Sequence, residues 1–184
     1  MPKLLLAIFI FSCFQVFSQT DKNTEKFLNL AAEGDSTKIL KYIQKGIDVN
    51  STNRSKWSAL AYASRYGHYG TVVVLVENGA DVNQAVNVGS TPLHIALNNK
   101  NYRIAGYLIE KKADINLCDL TGMSPLAWAS KQGDLEAVKL LVENGANVNS
   151  KNVSSRTVLD VTTDAEVIKY LKEHGAKSGK DLMK

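Results

Sequence analysis

The sequence predicts an all-α fold, a solenoid of about five helix-turn-helix repeats joined by β-turns. Three observations carry that expectation. The pair Val49-Asn50 returns as Val82-Asn83, Ile115-Asn116 and Val148-Asn149 at a constant spacing of 33 residues, and a fixed period of that size belongs to stacked repeats. Further columns keep the same period: Ser58, Thr91, Ser124 and Thr157, then Leu60, Leu93, Leu126 and Leu159, then Ala63, Ala96 and Ala129. Glycines fall into two more, Gly34, Gly67 and Gly133, and Gly46, Gly79 and Gly145.

The 184-residue chain opens on a segment set apart from the repeats. Met1-Pro2-Lys3 precedes an apolar run from Leu4 to Phe14, followed by Gln15-Val16-Phe17-Ser18. Residues 1–18 resemble a bacterial secretory signal peptide, with Val16 and Ser18 small enough for cleavage after Ser18. The run is about half the roughly 20 residues that span a bilayer, so no membrane span is expected. A second reading stays open, because Ile10-Phe11-Ser12-Cys13 loosely resembles a lipoprotein box in which Cys13 would carry a lipid anchor. The expected location is the periplasm, with a lipid-anchored envelope protein or a secreted one as alternatives. Residues 19–184 then form one repeat domain.

The first unit, 22–50, starts Asn23-Thr24-Glu25-Lys26-Phe27-Leu28, a polar entry suited to an end cap. In the second, 54–83, Ala61 and Ala63 keep the first helix slim enough for close packing, and Val72-Val73-Val74-Leu75-Val76 supplies core. That valine run alone is ambiguous with a buried strand; the period decides for helix. Gly79, like Gly46 and Gly145, sits where a left-handed residue closes the second helix. The third unit, 87–116, opens on Thr91 as cap and Pro92 in the first turn. It carries Lys100 and Lys112 where its neighbours have glycine. A left-handed Lys112 costs roughly 1 kcal/mol, which makes this unit the expected weak joint. The fourth, 120–149, repeats the pattern with Ser124, Pro125, Ala127 and Ala129, then Ala137-Val138-Lys139-Leu140-Leu141-Val142. In the last, 153–177, Gly175 follows Gly145 by 30 residues and no glycine stands near Thr162-Thr163-Asp164. A shortened first helix and a capping role are expected there.

Gly89-Ser90-Thr91-Pro92-Leu93-His94-Ile95-Ala96, with Asn78-Gly79-Ala80-Asp81-Val82-Asn83 closing the preceding unit, resembles the ankyrin repeat over roughly residues 22 to 177. The resemblance implies a binding module. It gives His94 a structural part in the turn network, and it places partner contacts on a concave face built from turn tips and first helices, the kind of extended surface solenoids use.

Composition agrees and excludes other classes. The net charge of +4 is spread among acidic neighbours such as Glu110-Lys111-Lys112, with no block suited to tracking phosphates, so nucleic acid is not expected. Past the leader only Cys118 remains, so no intramolecular disulfide can form, and a lone thiol there is expected to be inert. His68, His94 and His174 all occupy pattern positions. Asp48, Asp81 and Asp114 stand one repeat apart, roughly 10 Å, too far for one metal or an acid pair, and read as loop residues bonding local backbone. No metal-ligand spacing, phosphate loop or nucleophile elbow is present. No cofactor is expected.

A protein partner is therefore expected on the concave face. Tip positions are Arg54, Ser55 and Trp57, then Asn87, Val88 and Ser90, then Leu120, Thr121 and Met123. First-helix ends carry Arg65 and Tyr66, Asn98 and Asn99, Lys131 and Gln132. The candidate contact residues are Arg54, Trp57, Arg65, Tyr66, Val88, Leu120, Met123 and Lys131. Trp57 and Met123 share a column with Ser90 and Arg156, where repeat packing does not demand an apolar side chain, and an aromatic beside arginine matches hot-spot composition. Trp57 has a structural alternative, folding over its own turn to cover the first repeat. Trp128, in a column with Tyr62, Ile95 and Val161, reads as core. Such a strip could bury roughly 1,200 to 2,000 Å². A scaffold or accessory subunit for an envelope enzyme is the leading expectation; an immunity-type inhibitor of a toxin or enzyme, and an enzyme with a non-obvious site, are the alternatives.

Overall fold

The computed structural model describes residues 22–183, and the leader expected at 1–18, with Ser18 and Cys13, lies outside them. The chain alternates short helices in pairs. Helix α1 runs over 22–33, followed by α2 (Ser36–Gln44), α3 (Ala59–Tyr66), α4 (Tyr69–Glu77), α5 (Pro92–Asn98), α6 (Tyr102–Glu110), α7 (Pro125–Gln132), α8 (Leu135–Glu143), α9 (Val158–Val161) and α10 (Ala165–Glu173). A 3-10 turn at Asp181–Met183 ends the described chain. The fold is all-helical, as expected, and among the described residues the nearest thing to a strand is an isolated bridge between Thr52 and Ser58.

Odd-numbered helices stack in one row, α3 on α5, α5 on α7 and α7 on α9, while α2 packs on α4 and α4 on α6 in a second row. The core lies between the rows. Leu60, Leu93 and Leu126 of the first helices meet Leu75, Leu108 and Leu141 of the second, all fully buried, and the alanine column at Ala63, Ala96 and Ala129 lets adjacent units approach. The valine run is helix, with Val72 and Leu75 turned inward.

Ends and joints follow from the columns. Ser58 and Ser124 accept hydrogen bonds from the amides of Ala61 and Ala127, both at 3.2 Å, satisfying donors that the first turn leaves free. Pro92 and Pro125 open α5 and α7. After α4, Gly79 is left-handed and the Ala80 amide donates back to Leu75 at 3.0 Å, which is the Schellman closure. Lys112 makes the same closure at φ 69°, and Lys100 is left-handed at φ 58°, so both lysines hold conformations their neighbours give to glycine. The final first helix is cut to four residues.

The recurrent asparagine proves to be the staple between units. Asn50 Oδ1 accepts from the Asp81 amide, Asn83 from Asp114, Asn116 from Asn147 and Asn149 from Lys177, each at 2.8 Å. The aspartates before them bond their own loops: Asp48 accepts from the Asn50 amide at 2.9 Å, Asp81 from Asn83 at 2.8 Å and Asp114 from Asn116 at 2.9 Å. They are loop residues, as the sequence suggests.

Candidate binding groove on the face of first helices and turn tips

Each tip is a tight turn held at its base. Asn53, Val86, Asp119 and Asn152 form one column, and their amides donate to the carbonyls of Trp57, Ser90, Met123 and Arg156 at 3.0–3.2 Å. Adjacent tips are tied to each other as well, Asn87 N to Ser55 O, Leu120 N to Val88 O and Val153 N to Thr121 O, at 3.1, 3.2 and 3.3 Å. The projecting side chains are thereby fixed in register.

Between these tips and the first helices lies a groove of about 480 Å³ spanning the second to fourth units. Its walls are Trp57 on one side and Trp128 on the other, with Val86, Val88 and Ile95 between them and His94 and Asp119 at the base. Trp57 does not cover the first repeat. It leans onto Val86 and Ile95 of the next unit and onto Ala61, with its ring 5.1 Å from Tyr62. Trp128 is half-buried and not fully core, and its Nε1 donates to Asp119 Oδ2 at 2.7 Å. Of its column, only Ile95 is buried.

Cations sit on both walls. The Arg65 guanidinium lies 5.4 Å from the Trp57 ring and 5.7 Å from Tyr66, and the Lys131 ammonium lies 4.9 Å from Trp128. Neither is in an ion pair with a described carboxylate. Such stacking on an exposed ring contributes about 0.5–1 kcal/mol, enough to orient the cation and leave its charge available.

Two buried groups organise the base. His94 Nδ1 takes a hydrogen bond from the Thr91 amide at 3.3 Å and faces Thr91 Oγ1 at 2.9 Å, while Nε2 is 3.2 Å from the Met123 carbonyl. An acceptor at Nδ1 leaves the proton on Nε2, so the ring donates across to the next unit. Burial pushes its pKa below the ordinary value, against the Met123 carbonyl and the nearby Asp119 carboxylate, which pull upward. Asp119 accepts from the Thr121 amide at 2.8 Å, Thr121 Oγ1 at 2.6 Å, the Met123 amide at 3.0 Å and Trp128. Burial alone would raise its pKa; those bonds outweigh it and hold it below the usual carboxylate range.

The groove brings together Trp57, Arg65 and Val88 from the expected set, with Lys131 against its far wall. Arg54 lies outside it, lining a neighbouring hollow of about 470 Å³ with Glu25 and Tyr62. Tyr66 is half-exposed beside Arg65, and Leu120 stands out from its tip, 74% exposed. Met123 is a correction. Its side chain is only 5% exposed and belongs to the core, because its amide and carbonyl are pinned by Asp119 and His94 and its sulfur packs 3.6 Å from Asn152 Nδ2. Trp128 and Asp119 were not among the expected site residues. The one signal for them is Asp119 standing in a column with the asparagines Asn53 and Asn152.

Cys118 is exposed, and its thiol is pushed up by partial burial and then by the Asp119 and Asp114 carboxylates, which keeps it protonated at neutral pH. Among the described residues there is no cluster of three metal-ligating side chains and no helix long and apolar enough to cross a membrane.

A family model for ankyrin repeats (3 copies) matches residues 3–86 and 84–152. The chain belongs to the ankyrin-repeat family. No curated protein matches it closely enough to count as a relative. The family match stops before the last unit of this ankyrin-repeat protein, where α9 has shrunk to four residues. Ankyrin repeats are generally protein–protein interaction modules, and that general role is the one this chain inherits.

Proposed function

We propose that the protein is a non-enzymatic scaffold or accessory subunit that holds a protein partner against its row of first helices and turn tips. The observation that carries this reading is the Trp57–Trp128 groove, whose aromatic walls carry cations in no ion pair with a described carboxylate and whose two buried polar groups are already bonded. With the His94 and Asp119 polar atoms committed to Thr91, Thr121, Met123 and Trp128, the base is built for rigidity and offers no free acid or base. Affinity capture from an extract of the source cells, comparing the parent with a Trp57→Ala, Arg65→Glu variant shown by its thermal melt to be folded, tests it. One protein held by the parent and lost by the variant supports the reading; identical captures overturn it.

The same proposal places the protein in the cell envelope, exported by the segment 1–18. Support comes from the apolar run Leu4 to Phe14 and the small residues before Gln19. The family match, however, reaches back to residue 3. Intact-mass measurement on the protein recovered from its own cells decides: a start at Gln19 supports cleavage, a lipidated start at Cys13 supports anchoring, and an uncut N-terminus overturns export by this segment.

A further inference from the structure

We infer that the groove takes an acidic segment of a partner protein, with one aromatic or large aliphatic side chain seated between Trp57 and Trp128 and flanking carboxylates paired with Arg65 and Lys131. The inference rests on the protein-binding reading and adds the chemistry of the occupant.

Charge complementarity carries it. Across the second to fourth units the groove side is cationic: the tips supply Arg54 and Lys56 and the first helices supply Arg65 and Lys131, all exposed. Helices α3, α5 and α7 contain no acidic residue. The one carboxylate of these tips and first helices, Asp119, is buried and bonded by four donors, so it presents little free charge to an incoming anion. Exposed glutamates lie instead on the second helices, at Glu77, Glu110, Glu136 and Glu143. Glu25, in the hollow beside Arg54, marks where the cationic strip ends.

Shape supplies the aromatic. A groove of about 480 Å³ is far larger than one ion needs, and between its two tryptophan walls Val86 and Ile95 offer apolar surface. Arg65 and Lys131 already lie on the two rings, so a ring inserted between the walls would be flanked by both cations, and carboxylates beside it would meet them at the rim. The exposed apolar tips Val88, Leu120 and Val153, 63%, 74% and 75% exposed, continue the surface toward the C-terminal units. An extended chain can follow that line.

The test is selection of displayed random peptides of about a dozen residues, long enough at roughly 3.3 Å per residue to cross three units stacked roughly 10 Å apart. Chain residues 19–184 serve as bait, and selected peptides are titrated against variants Trp57→Ala and Arg65→Glu with Lys131→Glu. Selected peptides should share an aromatic or large aliphatic residue next to Asp or Glu. They should weaken at least about tenfold on either variant and lose affinity with added salt. Peptides of another composition that still depend on Trp57 overturn the acidic occupant and leave the binding face standing. Peptides indifferent to both variants, or no enrichment at all, overturn both readings. Indole-3-acetate, titrated alone, is the small-molecule control, and binding tighter than any selected peptide makes the groove a metabolite site and overturns the inference.

Discussion

His94 shows how one residue couples two repeats through its protonation state. Neutral, its Nε2–H reaches the Met123 carbonyl while Nδ1 accepts from Thr91; protonated, Nδ1 loses its acceptor role and the charge sits in a buried place. Because burial lowers the folded-state pKa below 6.5, the unfolded chain takes up the proton first as pH falls. The His94 contribution is therefore complete above pH 6.5 and declines through the window from there down to the depressed folded value. Urea midpoints measured between neutral and mildly acidic pH should fall, and His94→Gln should flatten that decline at the cost of a lower midpoint at neutral pH. An unchanged pH profile in the variant would show that His94 is not the titrating group. Lys112 is the second telling residue. Its φ of 69° predicts that Lys112→Gly stabilises the protein by about 0.5–1 kcal/mol, a rise in melting temperature of roughly 1–4 °C for a chain of this size.

At the scale of the element, the turn tips are set by backbone proximity as much as by side chains. A Cβ on Gly89 would stand 2.6 Å from the Leu120 amide nitrogen at a φ of +81°, so Gly89→Ala must push two tips apart. A loss of about 2 kcal/mol or more is expected, read by thermal melt, together with weaker binding to any groove ligand. The repeated features of tips and helices were legible in the sequence because every unit imposes the same requirement: the caps Ser58, Thr91 and Ser124, the prolines and the closing glycines recur where the physics recurs. The groove was less legible because its makers occur once. Asp119 is alone in its column in pairing with a tryptophan, and Val86, in that same column, has no side-chain oxygen to bond its turn. Met123 and Trp57 share a column yet have opposite fates. One is drawn under His94 and Asn152 of its neighbours, and the other meets Val86 and Ile95, contacts that no single unit's sequence contains.

For the whole molecule, nearest-neighbour stacking means that stability should vary along the chain and not be uniform. The third unit carries two of the three left-handed lysines among the described residues, Lys100 and Lys112, while the second holds only Lys56, and hydrogen exchange should show the α5 and α6 amides opening more readily than those of α7 and α8. Equal protection across the second to fourth units would reject that. The groove spans these same units, so a ligand seated there should slow exchange in the third more than in the first.

The asparagine staples carry one more consequence. Asn83 meets Asp114 with the same 2.8 Å bond that Asn116 makes to Asn147, so these staples do not record their place in the series. Excising residues 84–116 in frame would set Asn83 opposite Asn147 with the partner chemistry unchanged, and duplicating that stretch would add one joint of the same kind. Copy number is thus open to change by recombination without inventing a new staple, and the length of the protein can drift while that bond stays intact.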